Sequence, residues 1–197
     1  MRSAIAPSSR DLIIDTAFRV FGRSGIESTS LREVAREAGV SPPLVVHHFG
    51  GKEGLVAALD EAVVRGFADA YGADTIEAGG DLLRRRGEQT ARVMSERPDV
   101  CAYLGRSLVE GTAGSYGLFR ELIRGGRAEV DGLAESGALR PGVDRLWATL
   151  QHFFLIWAPL SFLPVLNDAI GGELLDSAQL DRWVDANVEL LKGGLYA

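Results

Sequence analysis

Thr29-Ser30-Leu31-Arg32-Glu33-Val34-Ala35-Arg36-Glu37-Ala38-Gly39-Val40-Ser41-Pro42-Pro43-Leu44-Val45-Val46-His47-His48-Phe49 is the stretch that decides the fold. Ser30 followed three residues later by Glu33 spells a capping box, in which the Ser30 hydroxyl accepts from the Glu33 N–H and the Glu33 side chain reaches back. The helix so opened turns Leu31, Val34, Ala35 and Ala38 inward. Gly39 stops it by taking the left-handed conformation that favours glycine. Ser41 is expected to cap the next helix, with Pro42 at the first helical position, where a missing N–H is no loss. Two short helices joined by a tight glycine turn make a helix-turn-helix unit.

Working outward, Ser8 or Ser9 can cap a preceding helix whose apolar stripe is Leu12, Ile13, Thr16, Ala17, Val20 and Phe21, closed by Gly25. On the other side Gly50-Gly51 break the chain, and Lys52 opens a longer helix through Leu55, Leu59, Val63 and Phe67. Apolar residues recur three and four apart through the rest, and the alternating β-branched runs of strands are missing, so the fold class is all-α. Gly79-Gly80, Arg97-Pro98 and the 111–117 glycine stretch divide the middle into several helices. Asp144 caps the most apolar one. The last spans about 178–191 and places Leu180, Trp183, Val184, Asn187, Val188 and Leu191 on one face.

The 197 residues are 46% hydrophobic and 24% charged, the balance of a globular chain long enough to bury its own core. One cysteine, Cys101, cannot form an internal bridge, and three histidines (His47, His48, His152) make a poor metal cage, so no metal or cofactor is expected. The first seven residues lack the apolar run of about 7–15 residues that marks a secretion signal, and a cytoplasmic location is expected. Residues 153–166 carry no charge for 14 positions, short of the ~20 needed to cross a bilayer and interrupted by Pro159 and Pro164, so no membrane association is expected. Residues 1–55 hold seven basic against six acidic residues, whereas the remaining 142 hold 14 against 21. A slightly positive head on an acidic body permits contact with a polyanion at one end only.

The Thr-Ser start, the Val-Ala pair, Ala38-Gly39-Val40-Ser41, the His48-Phe49 close and the downstream Lys52-Glu53-Gly54-Leu55 resemble the N-terminal signature of the TetR family of bacterial transcriptional regulators. The resemblance covers roughly residues 10–55. It implies a helix-turn-helix DNA-binding domain over residues 8–53 and a larger effector-binding and dimerisation domain over 54–197. It also implies base contacts from Pro42, Pro43, Leu44, Val46 and His47, and phosphate contacts from Thr29, Ser30, His48 and Lys52. Lys52 stands at a helix N-terminus, where free N–H groups already favour an anion. Val34, Ala38, Val45 and Phe49 are expected to lock the unit against Phe18 and Phe21.

The sequence departs from the family where most members have a tyrosine (here Val46) and a hydroxyl-bearing residue (here Leu44). The recognition helix therefore has almost no donor except His47. Direct readout normally relies on Arg, Lys, Asn or Gln forks worth ~1–3 kcal/mol each. Thymine-methyl packing, His47 and DNA shape are expected to supply much of the discrimination instead.

The partners implied are a near-palindromic double-stranded operator, a second copy of the chain and a small lipophilic effector whose binding releases the DNA. Homodimerisation is expected through Leu146, Leu150, Phe153 and Trp157 on one helix and Trp183, Val184, Asn187, Val188 and Leu191 on the last, as a four-helix interface. An effector pocket is expected among Met94, Cys101, Tyr103, Leu104, Leu108, Phe119, Leu122, Gln151, Phe154 and Trp157.

Other readings compete. A helical small-molecule-binding protein with a vestigial DNA head fits the donor-poor recognition helix. Ala113-Gly114-Ser115-Tyr116-Gly117 nears the nucleophile elbow but lacks its first glycine and preceding strand, and reads as a glycine-rich loop. Gly50-Gly51-Lys52 lacks the rest of a phosphate loop. Arg84-Arg85-Arg86 reads as a solvated helix face. No enzymatic activity is expected.

Overall fold

The computed structural model describes residues 8–71, 81–111 and 113–195, and these form ten α-helices with no strand among the described residues. They are α1 (Ser9–Ser24), α2 (Leu31–Glu37), α3 (Pro42–Phe49), α4 (Lys52–Tyr71), α5 (Asp81–Glu96), α6 (Pro98–Glu110), α7 (Ala113–Glu135), α8 (Arg145–Ser161), α9 (Leu163–Ile170) and α10 (Ser177–Gly194). Gly79-Gly80 lies outside the described residues.

Local chemistry sets most of these ends. Ser8 caps α1 in a reciprocal box with Asp11, and Asp144 caps α8 by accepting from the N–H groups of Leu146 and Trp147 at 2.9 and 3.1 Å. In α2 only half of the expected box forms: Ser30 accepts from the Glu33 N–H at 3.2 Å, with no return bond from the Glu33 side chain. At its other end Gly39, at φ +66°, allows a Schellman closure: Val40 N–H reaches the Ala35 carbonyl at 2.9 Å and Gly39 N–H reaches Arg36 at 3.2 Å. Ser41 is the residue before α3 but makes no side-chain cap, so Pro42 at the first position starts that helix by its fixed φ.

The residues 113–117 expected as a loop are helical, the first turn of α7, and Ser115 is buried there. The apolar residues 153–166 bend: α8 and α9 meet at 84°, next to Pro159 and Pro164. Among the described residues no single helix is long and apolar enough to cross a membrane, although this bent pair has the length and composition together.

α1, α2 and α3 pack on one another, and α1 also lies along α6. α6 is sandwiched between α1 and α8, α8 rests on α7, and α10 on α5. One apolar cluster runs from Ile13 in α1 through Leu55, Tyr103 and Trp157 to Leu191 in α10, so the helix-turn-helix head and the helical body share a core. Leu12, expected in the stripe of α1, is exposed at the outer flank.

Candidate functional site

The head presents α3 outward. Val45 is its one fully buried residue, packed into the cluster with Val34 and Phe18. Phe49 is half-buried and has the Arg10 guanidinium over its ring at 5.4 Å. With that face fixed inward, helical geometry turns Pro42, Pro43, Val46 and His47 to solvent, Val46 at 47% exposure, and leaves Leu44 and His48 half-buried beside them. The five residues expected to meet bases thus share one accessible surface. Its only polar side chain among them is His47, whose ring lies edge-on to His48 at 5.5 Å.

The four expected phosphate contacts divide. Ser30 is exposed at the N-terminus of α2, where its oxygen accepts from Glu33 N–H and its hydroxyl proton remains to be donated outward. Lys52, at the start of α4, donates from Nζ to the Glu27 carbonyl at 3.0 Å, which ties α4 to the α1–α2 turn and sets where the ammonium stands. Thr29 is a correction: it is 1% exposed, and its hydroxyl donates to the Gly25 carbonyl at 2.7 Å. It holds the turn from inside, out of reach of a phosphate.

Several polar links fasten the head to the body, among them Arg97 donating to Asp15 of α1 at 3.2 Å and Arg106 of α6 donating to the Arg23 carbonyl at 3.4 Å. The Glu110 carboxylate, at the end of α6, accepts from Ile26 N–H at 3.0 and 3.2 Å and from Glu27 N–H at 3.4 Å. Tyr103 of α6 donates its hydroxyl to Asp60 of α4 at 2.6 Å and meets Phe18 of α1 edge-on at 5.4 Å. Burial pushes the Asp60 carboxyl up to about 6, against which the Tyr103 hydrogen bond pulls down. Burial, then the adjacent Asp60, hold the Tyr103 phenol well above its ordinary range.

In the body a cavity of about 600 Å³ lies between α4, α5, α7, α8 and α10. Of the expected pocket residues only Leu122 and Trp157 line it. Met94, Cys101, Tyr103, Leu104 and Phe119 are buried in the continuous core, with Leu108 packed against it. Burial pushes the Cys101 thiol up to about 12, so it is an inert apolar filler. Gln151 and Phe154 point outward, Phe154 at 55% exposure.

The expected dimer residues divide the other way. Leu146 is exposed and Leu150 half-buried on α8. Phe153, Trp157, Trp183, Val184, Asn187, Val188 and Leu191 line the cavity instead. The phase of α8 is set by Trp157 edge-on to Phe67 at 4.7 Å and Phe153 edge-on to Phe119 at 5.7 Å. α10 turns its stripe toward α5. The apolar surface left outside is Leu146, Trp147 (57% exposed) and Phe154 on α8, with Phe162 and Val165 beyond it and Leu190 on α10. Trp147 and Leu190 were not among the expected residues.

The polar part of the cavity wall was not expected from the sequence either. Arg86, last of the triple arginine, is not solvated: its side chain is 15% exposed and its Nε donates to Glu129 at 2.8 Å. Arg84 in the same run does face solvent, paired with Asp185 at 2.8 Å. Arg86 and Gly87 stand three and four residues after Leu83 on one helical face of the wall, a spacing that could have flagged Arg86. No group of three metal-ligating side chains occurs among the described residues.

Residues 13–59 match the family described as bacterial regulatory proteins, tetR family. The chain is 33% identical over 138 residues to the HTH-type transcriptional regulatory protein RaaS of Mycobacterium tuberculosis, covering 67% of this chain and 60% of that protein. The match thus spans less than two thirds of that relative's length. The fatty acid degradation regulator FadR from Bacillus halodurans superimposes with a TM-score of 0.78 at 18% identity, over 97% of this chain and 98% of that one. FadR from Bacillus subtilis, solved in complex with stearoyl-CoA, gives 0.76 at 17% identity, over 93% and 97%. At these identities the two structures speak to the fold. With the signature of α2 and α3 in place, residues 13–59 belong to the family of bacterial regulatory proteins, tetR family, and the helical architecture of the whole chain is that of the superimposed structures.

Proposed function

We propose that this protein is a ligand-responsive transcriptional repressor that binds a near-palindromic operator as a homodimer and leaves it when a small, largely apolar effector fills the cavity. The observation that carries this reading is the outward face of α3: Pro42, Pro43, Val46 and His47 are accessible together while Val45 anchors the helix from behind. An exposed recognition helix backed by a second helix is the arrangement that enters a major groove, and a dimer addresses grooves about 34 Å apart. Ser30, His48 and Lys52 flank that helix as the backbone contacts; these fix register, and the bases confer choice.

The dimer surface that fits best is the exposed apolar strip of Leu146, Trp147 and Phe154 on α8, which leaves the cavity-lining residues within each protomer. The solved complex of the fold neighbour FadR with stearoyl-CoA supports the ligand half of the proposal. A ligand shifts a conformational equilibrium only by its differential affinity for the two states. Here the links available for that coupling include Glu110 to the α1–α2 turn, Arg97 to Asp15 and Tyr103 edge-on to Phe18. A repressor of this kind works in the cytoplasm and needs no catalytic group.

The donor-poor face of α3 favours one rival, a small-molecule-binding protein with a vestigial head. Equilibrium binding to genomic DNA fragments over a range of salt separates the two. A regulator retains particular fragments, with an affinity that falls steeply as salt rises. A vestigial head retains none above random sequence.

A further inference from the structure

The cavity wall carries charge, and that charge is internally balanced. Arg86 and Glu129 face each other at 2.8 Å, with side chains 15% and 34% exposed, and so neutralise one another in place. Glu121, at the exposed edge, is engaged by Arg124 at 2.7 Å. His152 has Nδ1 2.7 Å from the Ala148 carbonyl oxygen, which can only accept, so that nitrogen carries the proton. The Thr90 and Thr149 hydroxyls donate to the carbonyls of Arg86 and Arg145 at 2.8 Å each, whereas Asn187 of α10, half-buried in the wall, has no hydrogen bond among the described residues. Its amide offers one donor group and one acceptor.

We propose that the cavity selects a net-neutral, largely apolar ligand bearing one hydrogen-bonding group for Asn187, and discriminates against ionised amphiphiles of the same shape. The inference rests on the reading of the cavity as the effector site. A carboxylate or sulfonate entering it finds Arg86 already compensated and must either displace Glu129 or be desolvated with no opposite charge to offset the loss. An ammonium meets the mirror-image problem. A neutral ligand leaves the Arg86–Glu129 pair intact, buries its body against Phe67, Phe153, Trp157 and Trp183, and satisfies an amide that is otherwise unpaired. The volume of about 600 Å³ suits a molecule of drug-like size.

Two dyes sharing one skeleton test this: N-phenyl-1-naphthylamine, which is neutral and has one N–H donor, and 1-anilinonaphthalene-8-sulfonate, which adds a permanent negative charge. Fluorescence titration of the full-length protein should show the neutral dye binding at least tenfold more tightly. Asn187→Leu should weaken the neutral dye severalfold. Glu129→Gln, which removes the carboxylate charge facing Arg86, should tighten the anionic dye at least tenfold while the neutral one changes less than threefold. Arg86→Met with Glu129→Leu, an apolar replacement of the pair, should keep the preference for the neutral dye and guards against a folding defect in the single variant. Gly126→Phe builds a ring from the half-buried wall position whose added Cβ lies 3.6 Å from Thr149 Cγ2, another lining residue, and should weaken the neutral dye at least tenfold. Equal affinity of the two dyes for the wild type, or an unchanged ratio in Glu129→Gln, overturns the charge inference and leaves the effector reading standing. Binding of neither dye, or neutral-dye binding indifferent to Gly126→Phe, overturns both.

Discussion

The Glu110 carboxylate grips the backbone N–H of Ile26 with both oxygens, at 3.0 and 3.2 Å, across 84 residues of sequence. The C-terminal turn of α6 thereby holds the α1–α2 turn of the helix-turn-helix head. Ile26 is buried, so removing the acceptor leaves an N–H without a partner, at a cost of about 1–3 kcal/mol. Glu110→Ala is expected to lower stability to urea by that amount, and Glu110→Gln, which keeps one acceptor oxygen, by less. Gly25 stands beside the clasp at φ +89° and ψ 153°, a region essentially confined to glycine. Gly25→Ala is expected to cost about 1–3 kcal/mol in backbone strain alone, and its methyl group would collide with Glu110 Oε1 and open the clasp as well.

The Asp60–Tyr103 bond predicts a pH dependence with a definite sign. Burial raises the Asp60 carboxyl from 3.8 to about 6, so the folded protein holds a proton that the unfolded chain releases. The stability tied to that proton is fully present below about pH 4 and is lost as pH rises through 6. Asp60→Asn keeps an acceptor for Tyr103 and never ionises. It is expected to match the wild type near pH 4 and to exceed it by about 1–2 kcal/mol at pH 7.5, after discounting for the solvent that still reaches the group. Urea midpoints measured from pH 4 to 8 check this; a mutant advantage that is constant with pH would contradict it.

Thr29 and Lys52 are expected to respond in opposite assays. Thr29→Val removes the buried hydrogen bond to Gly25 and should cost about 1 kcal/mol of stability with no change in the salt slope of DNA binding. Lys52→Met should reduce that slope by about 0.9 for each phosphate the side chain no longer neutralises. Binding isotherms at four or five salt concentrations distinguish the two.

The neighbours Phe153 and Phe154 should also behave differently. Phe154 and Trp147 are exposed on the outer face of α8, so Trp147→Glu or Phe154→Glu should give a folded monomer by sedimentation. Phe153→Ala removes a buried ring from against Phe119 and Trp157 and should cost about 3–5 kcal/mol of stability. Its effect on assembly should be secondary.

How far the sequence could be read follows from the range of the interaction that fixes each residue. Ser8, Gly25, Gly39 and Asp144 mark helix ends through bonds to residues two to five positions away, so their roles were legible from spacing. The outward face of α3 was legible too, because Val45 is inward and its neighbours follow at helical intervals. Thr29 was not: whether a hydroxyl faces solvent or turns back to Gly25 depends on how α1 and α2 meet. The phase of α8 escaped because Phe153 and Phe154 are equally apolar and only Phe67 and Phe119, from distant parts of the chain, decide which one goes inside. Arg86 hid in a run of three identical residues whose solvent and cavity sides are assigned by Asp185 and Glu129.

DNA reading by α3 is the claim on which the rest depends, and the most direct measurement is selection of genomic fragments by the purified protein, followed by footprinting of those retained. The expected result is a protected near-palindrome whose two half-sites lie one helical turn, about 34 Å, apart, with fragment choice altered by substitutions at Val46 and His47. Retention of no fragment above random DNA, or a preference indifferent to both positions, would contradict it.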